Sequence, residues 1–336
     1  MGYVLDNELA RCDSLCRALA ARYPVTSPAE STWAFTPPGA LAPPAGKRYG
    51  LTLMGITHGN ETAGLAVMNG LLAHLVSGAL NLQIPLAIVL GNPWAARENK
   101  RFLERDLNRS FARPSPTAME ERRAAALMPI LAESAFLIDF HQTTRRSERP
   151  FFIFPYTPEG YALARRVAPR IAVVTHWGKP FSAEGRCSDE YVNSMGGVGV
   201  SLELGQNGFD PYQIGVGIDC AIWAIAAATA AARGTPDLLP ARVDADDAPE
   251  LFTWSEIIPW PAAGFVELKP DWHNFKAVGR GETIGTVDGK PITAAEGGFV
   301  LFPKYLTRAE QAAQATRPTE LCRIMKKIGE ADLPRR

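Results

Sequence analysis

The feature that most restricts what this chain can become is a series of short, unbroken apolar runs that end in turns rich in polar, reactive side chains. Residues 51–57 run into the turn His58-Gly-Asn-Glu61, 84–90 into GNPWAARENKRF, and 135–140 stop at His141. Residues 199–204 carry Glu203 and turn at Gly205, and two further runs cover 151–154 and 171–175. Runs of this length without polar alternation suit strands buried on both faces. Helical patterns at 62–75, 117–132 and 212–233 lie between them. The alternation predicts an α/β fold: a mostly parallel, mixed sheet with helices on both faces. Ligand sites in such sheets lie at the carboxyl ends of the strands, which is where the reactive turns fall.

The texture then changes. Residues 235–250, TPDLLPARVDADDAPE, are polar, acidic and proline-containing, as a linker is. Short strand-like pieces with glycine turns follow. The reading is a catalytic α/β domain over 1–240 and a smaller β-rich domain over 245–336, which could mediate self-association as a homo-oligomer. At the amino terminus Leu5, Leu9, Cys12, Cys16 and Leu19 fall at helical spacing, and the basic-then-apolar order of an export signal is missing. The apolar run 218–232 is short and alanine-rich for a bilayer span and reads as a core helix. A cytoplasmic protein is therefore expected. With 35 basic against 35 acidic residues, no nucleic-acid or membrane partner is implied. Five scattered cysteines make no disulfide framework.

His58 and Glu61 form an H-x-x-E pair, and a three-residue step at a helix start turns both side chains to one face. His141 supplies a third ligand from a neighbouring strand end. Two histidines and a glutamate with one open position for water form a catalytic zinc shell, although H-x-x-E alone is a weak signal. Asp139 is placed to orient a ligand histidine or to serve only as a strand-end polar residue. The run from Lys100 to Phe111 brings Arg101, Asn108 and Arg109 next to that shell. A guanidinium binds a carboxylate in a bidentate way or steadies an oxyanion. Glu203 has the chemistry of a general base, yet strand alternation does not separate that role from a solvent-facing glutamate. His74, His176 and His273 receive no catalytic role, His176 being the one that could touch substrate.

The words GITHGNETAG, VLGNP with KRFLERDLNRSF, IDFHQTT and SLELG, together with NFKAVGRGETIGTVDGKPIT and GGFVLFP, resemble the succinylglutamate desuccinylase/aspartoacylase family, itself similar to zinc carboxypeptidases. The resemblance covers most of the chain from Leu51 to Pro303. It implies one Zn2+ per chain on His58, Glu61 and His141, with Glu203 as general base and then acid. It also implies that Arg101 polarises the scissile carbonyl and that Asn108 and Arg109 bind the α-carboxylate of an amino acid. Relatives acting on acidic substrates carry an arginine about ten residues before the catalytic glutamate. Here Asn193 takes that substrate-binding position, which implies a less acidic amino-acid part or a more apolar acyl group. The expected activity is zinc-dependent hydrolysis of an N-acyl amino acid or related small amide. A zinc carboxypeptidase or peptide side-chain deacylase, and a non-catalytic carboxylate-binding protein, are the alternatives.

Overall fold

The computed structural model describes residues 2–235, 249–313 and 317–334, with the backbone alone for 2–4. The amino-terminal part holds α1 (Gly2–Leu19), β1 (Val25–Thr26), β2 (Thr32–Phe35), β3 (Leu51–Gly55), α2 (Ala63–Ser77), β4 (Leu86–Leu90) and α3 (Pro93–Arg97). Next come α4 (Met119–Ala132), β5 (Phe136–Thr143), β6 (Phe151–Pro155), α5 (Pro158–Val167), β7 (Ala172–His176), α6 (Ser188–Ser194), β8 (Val198–Gln206) and α7 (Pro211–Ala232). The carboxy-terminal part holds β9 (Leu251–Pro259), β10 (Val266–Leu268), β11 (Ala277–Val278), β12 (Thr283–Val287), β13 (Lys290–Thr293), β14 (Gly298–Leu301), α8 (Arg308–Ala313) and β15 (Glu320–Ile328).

One mixed sheet of 12 strands runs in the order β1-β2-β4-β3-β5-β8-β6-β7-β9-β15-β14-β11. Its centre, β4-β3-β5-β8, is parallel. The central strands are buried along nearly their whole length because both faces are covered. Leu53, Ile138 and Leu202 pack with α1, α2, α5 and α7, whereas the neighbouring Met54 and Leu137 pack with α4 and α6. This is the α/β architecture expected from the sequence, with helices on both faces and a β-rich carboxy-terminal region.

The sheet also continues from one region into the other. β7 pairs in parallel with β9, and Phe151, Ile153 and Val174 share a core with Phe252, Phe275, Leu301 and Met325. A second sheet, β10-β12-β13, closes a separate core around Trp260, Trp272 and Ile284. Most of the expected linker, residues 236–248, lies outside the described residues, and we keep the two-domain division as a proposal.

Two expectations need correction. α7 begins at Pro211, where Asp210 Oδ1 caps the Gln213 amide at 3.0 Å. At 22 residues it is long and apolar enough to cross a membrane, so its length does not decide against a span. Its packing places it in the core, with Cys220, Ala221, Ala224 and Ala228 fully buried against α2 and α5. β5 extends to Thr143, so His141 stands within its strand rather than just beyond it, whereas His176 is the last residue of β7.

Candidate metal centre

β3 ends where Ile56 takes a left-handed φ of 48°, a costly conformation for a β-branched residue. It is held there because Gly55 O accepts from Gly91 N and Ile56 O accepts from Asn92 N, both at 2.9 Å. The turn that follows is packed against backbone: a Cβ on Gly59 would lie 2.2 Å from Ala95 C and Ala96 N. Only glycine lets His58 and Glu61 sit this close to α3. Gln142, the residue after His141, caps α2 by accepting from Ala63 N at 2.9 Å. The two ligand-bearing segments are thus locked to each other.

His58, Glu61 and His141 meet, all three buried, with their ligand atoms within 4.8 Å of one another. His58 Nδ1 is 2.8 Å from Glu61 Oε1, and His141 Nδ1 is 2.9 Å from Glu61 Oε2. The far nitrogens are held by carboxylates: His58 Nε2 lies 3.0 Å from Asp106 Oδ1, and His141 Nε2 lies 3.0 Å from Asp139 Oδ2. Asp139 also accepts from Thr57 Oγ1 at 2.8 Å and Ser188 Oγ at 2.6 Å. A ring that donates from Nε2 presents the Nδ1 lone pair inward. His58 Nδ1 is buried and aligned for no hydrogen bond despite its short contact with Glu61.

The charges support the same conclusion. Glu61, Asp106, Asp139 and Glu203 are all buried or nearly so, and Arg101 is the one arginine in ion-pair contact with any of them among the described residues. Carboxylates gathered in this way need positive charge among them. Burial would raise the Glu61 pKa, but the charges and hydrogen bonds of His58 and His141 hold it below the usual carboxylate range. Burial likewise disfavours a charged His141, yet Asp139 and Glu61 lift its pKa well above the ordinary value. The centre favours a cation between these atoms, and the residues fit a divalent metal.

Glu203 stands on β8 directly beside His141 of β5. Its Oε2 is buried without a hydrogen-bond partner. Burial first, then the charge of Glu61, pushes its pKa up to about 7. Arg101 donates from Nη1 to Glu61 Oε1 at 3.1 Å and from Nε and Nη2 to Asp106 Oδ2 at 3.2 and 3.1 Å. Asn108 Nδ2 lies 3.5 Å from His141 Nε2, and its Oδ1 accepts from Ser188 N at 2.9 Å. Arg109 Nη1 donates to Asn108 O at 2.7 Å and contacts Cys187 Sγ at 3.2 Å.

Asn193 is the sequence-selected residue that the fold does not bring to this group. It sits on α6, and its side chain accepts from Gly199 N at 2.7 Å and donates to Gly199 O at 3.4 Å. Gly199 is four residues before Glu203, roughly 13 Å away at about 3.3 Å per strand residue. Asn193 therefore ties α6 to the start of β8, and its substrate-binding role stays a proposal. His176 stacks on Trp254 at 4.5 Å and bonds Lys179 O through Nδ1. Asp106 was missed as a functional residue. Its one signal was its place two residues before Asn108, and nothing local paired it with His58. Glu120 was missed as well; its carboxylate accepts from Leu103, Glu104 and Arg105 N and so fixes the loop that carries Arg101 and Asp106.

Comparison with known proteins agrees with this geometry. Residues 48–214, which contain every residue of the centre, match the succinylglutamate desuccinylase/aspartoacylase catalytic domain. A succinylglutamate desuccinylase of Serratia proteamaculans is 32% identical over 216 residues, 58% of this chain and 64% of the relative. One of Yersinia pseudotuberculosis is 34% identical over 119 residues, 32% of this chain and 36% of the relative. The aligned regions thus span less than two thirds of these relatives. The solved structure of the Chromobacterium violaceum succinylglutamate desuccinylase superposes with a TM-score of 0.66 at 20% identity, covering 94% of this chain and 97% of that one. The product-bound ectoine utilization protein of Ruegeria pomeroyi gives 0.61 at 19% identity, with 88% of both chains covered. The shared fold, and a matching catalytic domain that ends just past β8, lead to one assignment: the chain belongs to the succinylglutamate desuccinylase/aspartoacylase family.

Proposed function

We propose that this chain is a zinc-dependent amidohydrolase that releases the amino acid from an N-acyl amino acid or a closely related small amide. The observation that carries the reading is the convergence of His58 Nδ1, His141 Nδ1 and the Glu61 carboxylate, with both far ring nitrogens fixed by aspartates. Two imidazoles and a carboxylate suit zinc. A zinc ion held there would supply an electrophile for the amide oxygen and make nearby water easier to deprotonate. One ion per chain is proposed.

The chain's own residues do the rest. Glu203 accepts the proton of the attacking water, its free Oε2 being the acceptor, and then returns that proton to the departing amine. Its raised pKa suits both duties. Arg101, one-third exposed and anchored on Glu61 and Asp106, offers positive charge to the developing oxyanion. Asn108 and Arg109 hold the α-carboxylate of the amino acid. The relatives' name, succinylglutamate desuccinylase, favours a small acyl amino acid over a peptide. A cytoplasmic location belongs to the same proposal.

The test is metal content together with a hydrolysis screen of N-acetyl, N-succinyl and longer N-acyl amino acids. One zinc per chain and release of free amino acid support the reading. Protein purified without chelators that carries no divalent metal, or that cleaves short peptides only, defeats it.

A further inference from the structure

We propose that Phe302, at the exit of β14, is a positioning residue whose ring braces both Phe151, the neighbour of Glu203, and Phe181, the ring against Arg109. The inference rests on the amidohydrolase reading above, which gives Glu203 the proton transfers and Arg109 the α-carboxylate. It starts from an unusual backbone. Phe302 takes a left-handed φ of 51°, a region that suits glycine and strains a residue with a bulky side chain. Its amide donates to Asn274 Oδ1 at 2.7 Å. Asn274 is fully buried. Its own amide donates to Arg146 O at 3.0 Å, and its carbonyl accepts from Glu148 N at 3.3 Å. The strained turn is thus fastened to the loop that leaves β5, the strand of His141.

Glycine would make this turn without strain, so what the position keeps at a cost is the ring. Backbone strain persists where the surroundings over-determine it. The Phe302 ring centre lies 5.9 Å from that of Phe151, tilted by 48°, and 6.2 Å from that of Phe181, edge-on at 86°. Contacts of this kind fix the orientation of aromatic rings as well as burying them. Phe151 also meets Phe275, and Phe181 also meets His176, Trp254 and the Arg323 guanidinium of β15. Among the described residues, Phe302 is the one ring that touches both.

Each of the two braced rings meets a group of the proposed chemistry. Phe151 stands opposite Glu203 in the antiparallel pair β6–β8, where facing side chains lie on one side of the sheet and in contact. Glu203 Oε2 has no hydrogen-bond partner, so packing against Phe151 limits where that carboxylate can go. The Arg109 guanidinium lies 5.0 Å from the centre of the Phe181 ring, close enough for the ring face to steady it. Arg109 has no ion pair among the described residues; its hydrogen bonds go to Asn108 O and Cys187 Sγ. The ring is therefore one of few restraints on its outer end. Loss of the Phe302 ring would loosen Phe151 and Phe181 together, and with them the acceptor of the proton and the holder of the α-carboxylate. A misplacement of about 1 Å in such groups costs about 10²-fold in rate.

The test uses metal-loaded wild type, Phe302→Gly and Phe302→Tyr, each checked for native circular dichroism. Glycine keeps the turn and removes the ring; tyrosine keeps the ring. The substrates are pairs that differ only by the α-carboxylate: N-acetylmethionine with N-acetyl-3-methylthiopropylamine, and N-acetylglutamate with N-acetyl-4-aminobutyrate. In Phe302→Gly kcat is expected to fall about 10-fold on both members of a pair, and the ratio of kcat/KM values, acid over amine, about a further 10-fold through KM. Phe302→Tyr should restore most of both. An unchanged ratio, an unchanged kcat, or a tyrosine variant no better than the glycine one overturns the assignment. If wild type cleaves no N-acyl amino acid, the amidohydrolase reading fails separately. In that case, or if the amines are not cleaved, the Arg109 side chain decides the matter for Phe302. In nitrogen-15 spectra its Nε–H signal, identified by its loss in Arg109→Lys, should stand apart from that of free arginine because of the Phe181 ring. It should move back toward the free position in Phe302→Gly and not in Phe302→Tyr. A signal that does not move in Phe302→Gly overturns the role of Phe302.

Discussion

Glu203 and His141 are direct neighbours across the parallel pair β5–β8, so the unpartnered carboxylate and the third ligand of the candidate metal centre are presented at the same level of the sheet. Replacing Glu203 with Gln keeps shape and hydrogen-bonding reach but removes the proton acceptor. The variant should bind metal as wild type does and lose about 10²- to 10⁴-fold in kcat. Metal analysis beside initial rates checks this. Activity near wild type would remove Glu203 from the chemistry.

The same carboxylate sets an acid limb. A general base works unprotonated, and burial raises the Glu203 pKa from 4.5 to about 7. A divalent cation beside it favours the charged form and draws that value down. In the metal-free protein a carbon-13 titration should find Glu203 releasing its proton near 7. In the metal-loaded enzyme kcat/KM should rise with pH through a midpoint below 7. An ordinary carboxylate value in the metal-free protein contradicts the burial argument.

Asp106 and Asp139 hold the outer nitrogens of the two rings that would ligate the metal. Asp106→Asn and Asp139→Asn should each weaken zinc affinity by about 10- to 100-fold, measured by competition with a chromogenic chelator, while circular dichroism stays native. Unchanged affinity in both would show that the rings need no such hold.

Asn193→Ala separates a role in tying α6 to β8 from the proposed role in binding substrate. Loss of the side chain leaves the Gly199 amide without its acceptor, at a cost of about 1–3 kcal/mol, visible as a lower Tm. KM for every accepted substrate should stay within about twofold if Asn193 makes no contact with the ligand. A rise in KM confined to acidic substrates would return Asn193 to the binding site.

The sequence by itself determined the layer order and the candidate centre. Continuous apolar runs such as LTLMG and LAIVL have one stable placement, a sheet covered on both faces, and α/β sheets set their reactive turns at strand ends. His58 and Glu61 were legible because three residues at a helix start share a face, and His141 because it closes a buried run. Ligand orientation was not legible: Asp106 meets His58 across 48 residues and acquires its role only when the loop after β4 folds back under Glu120. The Asn193 contact with Gly199 was not legible either. Counting back from Glu203 gives a distance in sequence, whereas α6 spends those residues running alongside β8 and brings Asn193 to Gly199. Arg323 carries no motif; it meets Phe181 only because the sheet continues from β7 through β9 to β15. Local pattern specifies which elements form and what they bury; long-range pairing decides which charges must share a low-dielectric space, and short-range spacing carries no record of that.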